Sequence, residues 1–267
     1  MARPHSTRYT VAALLLLGIA VVILTSLGQW QLRRADERRA ILAAIEAGRK
    51  QAPLALSPTT APGDLKPWRV AQATGTWLPQ FSVLLDNRNY EGRPGYWLAT
   101  PLLLDGPSRS AVLVLRGWLP RVIQGQGQGE PTLPATPQGD QTIKGELSER
   151  VPRMFEIWSL GNNDTSALPA TLPVAGGTVP QVQNLPLDAY AKATGLTLLP
   201  TVVSQFGAGE NDTLVHDWPE PSVDFQKNTF YAVQWFSFAL FAAIAWLVVL
   251  GGAIKRMRQR AAKDTAA

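Results

Sequence analysis

The chain has no cysteine and only two histidines among its 267 residues. Without cysteine there are no disulfides, no thiolate zinc site and no cysteine nucleophile, a composition compatible with a periplasmic domain that needs no staples. His5 precedes and His216 follows an apolar run that reads as a membrane span, so the two are expected on opposite sides of a bilayer, which excludes a multi-histidine metal site within one chain. Nucleophilic catalysis is also poorly supplied. There is no Gly-x-Ser-x-Gly elbow, and His216 is the one histidine beyond the first apolar run. Charged residues are sparse at 17%, and two long stretches carry none.

The first of these, residues 11–27, has only Thr25 and Ser26 as polar breaks and is flanked by Tyr9 and Trp30. It reaches about the 20 residues needed to cross a bilayer. The second, residues 230–254, contains no charge, with Gln234 and Ser237 as its clearly polar members. A buried soluble helix is not normally so long and so apolar all round. Lys255, Arg256, Arg258, Arg260 and Lys263 follow the second run, whereas Asp217, Glu220 and Asp224 precede it against Lys227. The positive-inside bias therefore makes the tail cytoplasmic, and two spans then put the N-terminus inside as well. The rival reading of the first run is a cleaved signal peptide, for which Ser26-x-Gly28 is a tolerable site. The run exceeds the usual h-region of about 7–15 residues, which favours retention. The formal charge of +5 owes much to the basic tail, whose natural neighbours are anionic lipid headgroups of the bilayer; nucleic acid is not implied.

Between the spans lies enough chain for one medium domain. Residues 33–50, rich in Arg, Ala, Glu and Leu, continue the first helix to about Gly48. Residues 51–67, with four prolines, read as a linker. Short alternating or apolar runs at 68–77, 82–86, 96–104, 111–118 and 142–148 read as antiparallel strands. A Gly/Pro/Gln-rich loop, residues 124–138, interrupts them and lacks the Lys-Ser/Thr pair of a phosphate-binding loop. Residues 186–194 are a short helix, with Pro186 at its start and Gly195 after its end, and 198–206 are the last strand. The carboxylates Asp86, Glu91, Glu146, Glu156 and Asp217 show no spacing that pairs two for acid/base work and read as solvated loops and strand edges.

On a helix Asn228, Tyr231 and Trp235 share one face. An aromatic belt explains them as anchors. Gln29, Gln31, Arg33, Arg34 and Gln234 nearby supply more polar groups than anchoring requires, which points instead to a docking or prosthetic-group face.

Several segments carry a resemblance: Leu27-Gly-Gln-Trp-Gln-Leu-Arg33, Gly75-Thr-Trp77, Asp86-Asn-Arg88, Gly95-Tyr-Trp97 leading to Pro101, Val112-Leu-Val-Leu-Arg-Gly-Trp-Leu-Pro120 and Tyr231-Ala-Val-Gln-Trp235. In this order between two spans, the chain resembles the surfeit-locus-protein-one (SURF) family of cytochrome c oxidase assembly factors. The resemblance implies a non-enzymatic factor in the bacterial inner membrane that helps place haem a in the catalytic subunit of the oxidase, with haem a synthase as a possible further partner. Haem a is an apolar, farnesylated macrocycle with anionic propionates, suited to an interfacial groove with aromatic walls and arginine at its aqueous edge. Tyr231 and Trp235 then form the walls and Arg33, Arg34 and Arg116 the edge. Family members usually carry a histidine where Asn228 stands, and an amide is a poor iron ligand. His216 could replace it if the segment 217–227 folds back.

The expected architecture is thus a membrane-anchored α+β protein with two transmembrane helices flanking a mostly antiparallel β outer domain. Its divisions are a cytoplasmic N-terminus (1–8), helix one (9–30), a periplasmic domain (31–229), helix two (230–254) and a basic tail (255–267). Two other classes fit the bare organisation: a membrane-tethered envelope enzyme acting on lipid or wall precursors, and a structural subunit of a membrane complex.

Overall fold

The computed structural model describes residues 7–106, 109–121, 131, 133–154, 168–207, 212–221 and 223–264. His5 and Glu156 lie outside the described residues, as does most of the loop 124–138. Two compact units are formed, one from Met1–Ala43 with Pro221–Ala267 and the other from Ala44–Glu220.

The first unit is a pair of long helices, α1 (Thr7–Lys50), whose last residues from Ala44 belong to the second unit, and α3 (Phe225–Asp264). At 1.5 Å per residue they run about 66 and 60 Å, roughly twice the ~30 Å of a hydrocarbon core. Both are long and apolar enough to cross a membrane by length and composition. Arg49 and Lys50 close the last turn of α1, where cations complement the helix dipole. At the start of α3 the Asp224 carboxylate accepts from the Lys227 backbone N–H at 3.4 Å and pairs with its ammonium at 3.1 Å. The Lys227 contacts hold that carboxyl below the usual carboxylate range, as an N-cap should.

The helices pack antiparallel through small residues. Ala35, Ala232 and Ala239 are buried, and a Cβ on Gly28 would lie 2.8 Å from the Phe236 ring, the close approach that apolar helix pairs favour. The Trp246 indole N–H donates to the Leu14 carbonyl at 2.9 Å, and the Asn228 amide donates to Gln31 Oε1 at 2.6 Å. Further along, Arg38 donates to the Asp224 carbonyl at 2.7 Å and Arg39 lies over the Phe225 ring at 4.8 Å.

The second unit is a mixed, mostly antiparallel β-barrel. Its strands are β1 (Leu54–Leu56), β2 (Val70–Trp77), β3 (Val83–Tyr90), β4 (Arg93–Leu104), β5 (Ser110–Pro120), β6 (Asp140–Ser148), β7 (Gln181–Val182) and β8 (Thr197–Gln205). Five of them close a ring in the order β2-β6-β8-β5-β4, because the end of β4 returns to β2 through Gly75↔Leu104, Thr76↔Leu103 and Trp77↔Leu102. Only the β5–β8 pair within the ring is parallel. Besides β5 on one edge, β4 can serve two neighbours on the other because it has 12 residues: its first half pairs β3 and its last residues pair β2. Alternate residues of the five strands meet inside, Ala71 and Ala73 with Leu102, Val112, Ile143 and Val203 among them.

A second apolar layer lies on the other face of β3, β4, β5 and β8. There the helix α2 (Leu187–Thr194) buries Tyr190 and Ala193 against Leu85, Leu113 and Val202. The Tyr190 hydroxyl donates to the Phe81 carbonyl at 2.5 Å, and burial pushes its pKa up. β5 is consequently covered on both faces and buried from Ser110 to Leu119, which is why it reads as a continuous apolar run. Pro186 and Gly195 bound α2 as expected, Gly195 with φ 68° closing a bond to the Ala191 carbonyl. The linker 51–67 is more structured than its prolines suggest, since β1 pairs parallel to β2.

Candidate functional site

The helix unit gathers most of the expected site residues. Tyr231 is 54% exposed and Trp30 49% exposed, so both aromatic rings face outward. Trp235 is half-buried and meets Phe238 edge-on at 6.1 Å. Asn228 is fixed by its donation to Gln31, while its Oδ1 is buried with no donor. A buried orphan acceptor is costly. Arg33 is exposed. Arg34 is held by Glu37 at 3.2 Å; an exposed i,i+3 pair of this kind contributes little and yields easily.

Arg116 and His216 belong to the barrel unit. Arg116 is 2% exposed in β5, not at an aqueous edge. It lies over the Trp77 ring at 5.2 Å and donates to Thr136 at 3.1 Å; burial lowers its pKa and the nearby Asp212 carboxylate partly restores it. His216 is not a solvated loop residue either. Its side chain is 10% exposed, because residues 212–218 form a strap over the barrel, bridging Val215 to Trp118. One ring nitrogen, Nδ1, is 3.4 Å from the Gln205 carbonyl. The other, Nε2, is 3.4 Å from Asp212, close enough for an ion pair but misaligned for a hydrogen bond. Nδ1 is thus engaged by the end of β8, and Nε2 is buried beside Asp212 without a hydrogen-bond partner.

Two carboxylates expected to be solvated are paired instead: Asp86 with Arg121, and Glu146 with Arg49 at 2.8 Å. Arg88 was passed over as a site residue. It is buried, stacked over Trp97 at 4.5 Å, and donates to the Pro152 and Gln183 carbonyls at 2.9 and 3.1 Å. Burial pushes its pKa down to about 10, so it remains charged at neutral pH and ties two loops to β3. The order Asp86-Asn-Arg88 could have signalled this, since Asn87 adopts φ 59° at a bulge that turns its neighbours to opposite sides. Among the described residues no cluster of His, Cys, Asp or Glu could hold a metal ion.

The fold and these residues define a small closed β-barrel carried between two long apolar helices, with an aromatic and polar face on the helices and buried cation–indole pairs in the barrel. The chain belongs to the SURF1 family, whose model matches residues 18–240. It is 29% identical over 185 residues to an uncharacterized SURF1-like protein of Mycobacterium bovis, covering 66% of this chain and 58% of that protein. A SURF1-like protein of Rickettsia felis is 33% identical over 102 residues, 38% of this chain and 43% of its own. The cytochrome oxidase assembly protein SHY1 of Saccharomyces cerevisiae is 30% identical over 95 residues, 35% of this chain and 24% of its own. The matched stretches thus span no more than about three-fifths of these relatives.

Proposed function

We propose that this protein is a membrane-anchored assembly factor for a haem-copper cytochrome oxidase, acting by binding rather than catalysis and serving the catalytic subunit, with haem a synthase as a possible neighbour in the same step. The observation that carries the reading is membership of the SURF1 family together with the similarity to the yeast assembly protein. In this reading α1 and α3 both span the inner membrane, the termini are cytoplasmic and the barrel is periplasmic. The basic end of α3 supports that orientation. Reporter fusions at Gln51 and Ala267 are expected to read outside and inside; the opposite pair would reverse the orientation, and the same side for both would mean that α3 does not cross.

Haem a is the group this reading implies on the helix face. The fit is partial. Exposed Tyr231 and half-buried Trp235 offer ring faces to a flat apolar group, and Arg33, with Arg34 once released from Glu37, offers guanidinium to propionates. Among the described residues of this unit there is no imidazole, and Asn228 is an amide already bonded to Gln31. The residues therefore hold a macrocycle by its faces and charged edge, without a strong axial ligand of their own. Replacing Asn228 by histidine supplies that ligand. In haem titrations of the full chain in detergent, Asn228→His is expected to bind more tightly than the natural protein and to show a low-spin, imidazole-ligated spectrum, whereas His216→Ala leaves binding unchanged. Identical spectra and affinities for natural protein and Asn228→His would remove haem from this face.

A further inference from the structure

Two neighbouring clefts in the barrel unit combine aromatic walls with unbalanced negative charge. The larger, about 270 Å³, is walled by Trp68, Trp97, Phe206 and Trp218. Its charged lining is Glu146, Asp217 and Glu220 against Arg49. The smaller, about 200 Å³, shares Trp97, Asp217, Trp218 and Pro219 with it and adds Tyr90 and Glu91. An acidic aromatic pocket runs against the composition of a chain with formal charge +5.

The walls are fixed in place. Trp218 donates its indole N–H to the Gln205 carbonyl at 2.8 Å and meets Trp97 edge-on at 5.3 Å. Trp68 is held at φ 67°, a costly conformation for a bulky residue and one that tends to mark functional surfaces. Its N–H bonds to the Leu147 carbonyl at 2.8 Å, and Gly48 lets the end of α1 approach it, since a Cβ there would lie 2.9 Å from Trp68 Cβ.

The site already accepts cations from within the chain. Arg49 is clasped by Glu146 at 2.8 Å and Glu220 at 2.9 Å, and those bonds raise its pKa. Trp97 itself carries the Arg88 guanidinium, 4.5 Å from its ring. Asp217, exposed and common to both clefts, and Glu91 have no cationic partner among the described residues. Asp217 takes a hydrogen bond from the Tyr90 side chain but no cation, and indole faces beside such a carboxylate are the chemistry that recognises ammonium and guanidinium groups.

We propose that this double cleft binds an extended peptide segment of a partner protein through an arginine or lysine side chain, whose cationic head sits among the indoles beside Asp217. A free small cation would fill one cleft. Two clefts sharing a wall suit successive same-face side chains of an extended chain, about 7 Å apart. The clefts lie wholly in the barrel unit, so this inference stands or falls separately from the haem reading of the helix face.

The test titrates the full chain in a non-ionic detergent with the peptide acetyl-Ala-Ala-Arg-Ala-Ala-amide, read by tryptophan fluorescence, beside the same peptide carrying neutral citrulline. Saturable quenching by the arginine peptide is expected, about tenfold weaker with citrulline, and weakened similarly by Asp217→Asn or Glu91→Gln. Both substitutions are at exposed positions, and unchanged circular dichroism checks their folding. Equal binding of the two peptides, no saturation by the arginine peptide at millimolar concentrations, or Asp217→Asn and Glu91→Gln both binding as the natural protein does would each overturn the proposal. So would saturation by choline without saturation by the arginine peptide, which would make the cleft a cage for small quaternary amines.

Discussion

Replacing Tyr231 and Trp235 together by alanine is expected to cut the amount of mature, haem-containing oxidase several-fold, with the variant protein itself still present in the membrane. Both rings lie on the face of α3 that also carries Asn228, next to the polar contacts with α1. Their removal takes away the apolar surface of that face while leaving the helix-to-helix contacts through Ala232, Ala239 and Gly28 in place. Trp246 is a poor control, because its indole N–H ties α3 to the Leu14 carbonyl. Phe241, an exposed ring on the same helix, is the suitable one, and Phe241→Ala should leave maturation near normal. The readout is the haem absorbance of the oxidase in membranes, normalised to the variant's abundance. Equal effects of Phe241→Ala and of the double change would make the face an ordinary membrane anchor.

The largest effect on stability is expected at the seam that closes the barrel. Gly75 sits in β2 opposite Leu104, and a Cβ built there would lie 2.0 Å from the Leu103 carbonyl oxygen. That oxygen is backbone in a paired strand, so it cannot swing aside as a side chain tip could. Gly75→Ala must therefore push β2 and β4 apart, at a cost of about 3 kcal/mol or more. For a domain of this size that lowers Tm by about 6–12 °C. Gly63→Ala is the matched control, since nothing lies within 4 Å of its Cβ. Thermal unfolding of the full chain in detergent, followed by tryptophan fluorescence, separates the two; an unchanged Tm for Gly75→Ala would mean that the β2–β4 closure is not formed.

The sequence made the helices and most barrel strands legible because their signals are local. Twenty or more uncharged residues have few alternatives, and β2 alternates buried and exposed positions almost strictly. What escaped was non-local. β1 is three residues inside a proline-rich stretch and β7 is two, each existing only because a neighbouring strand offers an edge. Barrel closure depends on one strand serving two partners along one edge, a property of register and not of composition.

The candidate site divides the same way. The Asn228–Tyr231–Trp235 face followed from helical spacing, whereas its pairing with Gln31 joins residues from opposite ends of the chain. The fates of Arg116 and His216 were illegible because a polar loop, 212–218, folds over β5 and buries both. Cation–indole stacking, with hydrogen bonds to neutral acceptors, lets the barrel bury Arg88 and Arg116 with no salt-bridge partner among the described residues, and no sequence period announces it. The acidic tryptophan cleft gave one faint sign, the run His216-Asp-Trp-Pro219 in a stretch otherwise read as a tether.

The central claim, that this protein acts in oxidase assembly, is tested most directly by deleting it and measuring two quantities in the same membranes: the newly made catalytic subunit and the haem-containing oxidase assembled from it. The account predicts that synthesis of the subunit continues, that assembled haem-containing oxidase falls several-fold, that the activity of each assembled enzyme changes less than its amount, and that the natural gene restores the level. Undiminished assembled oxidase in the deletion strain, under conditions where the protein is normally made, would contradict it.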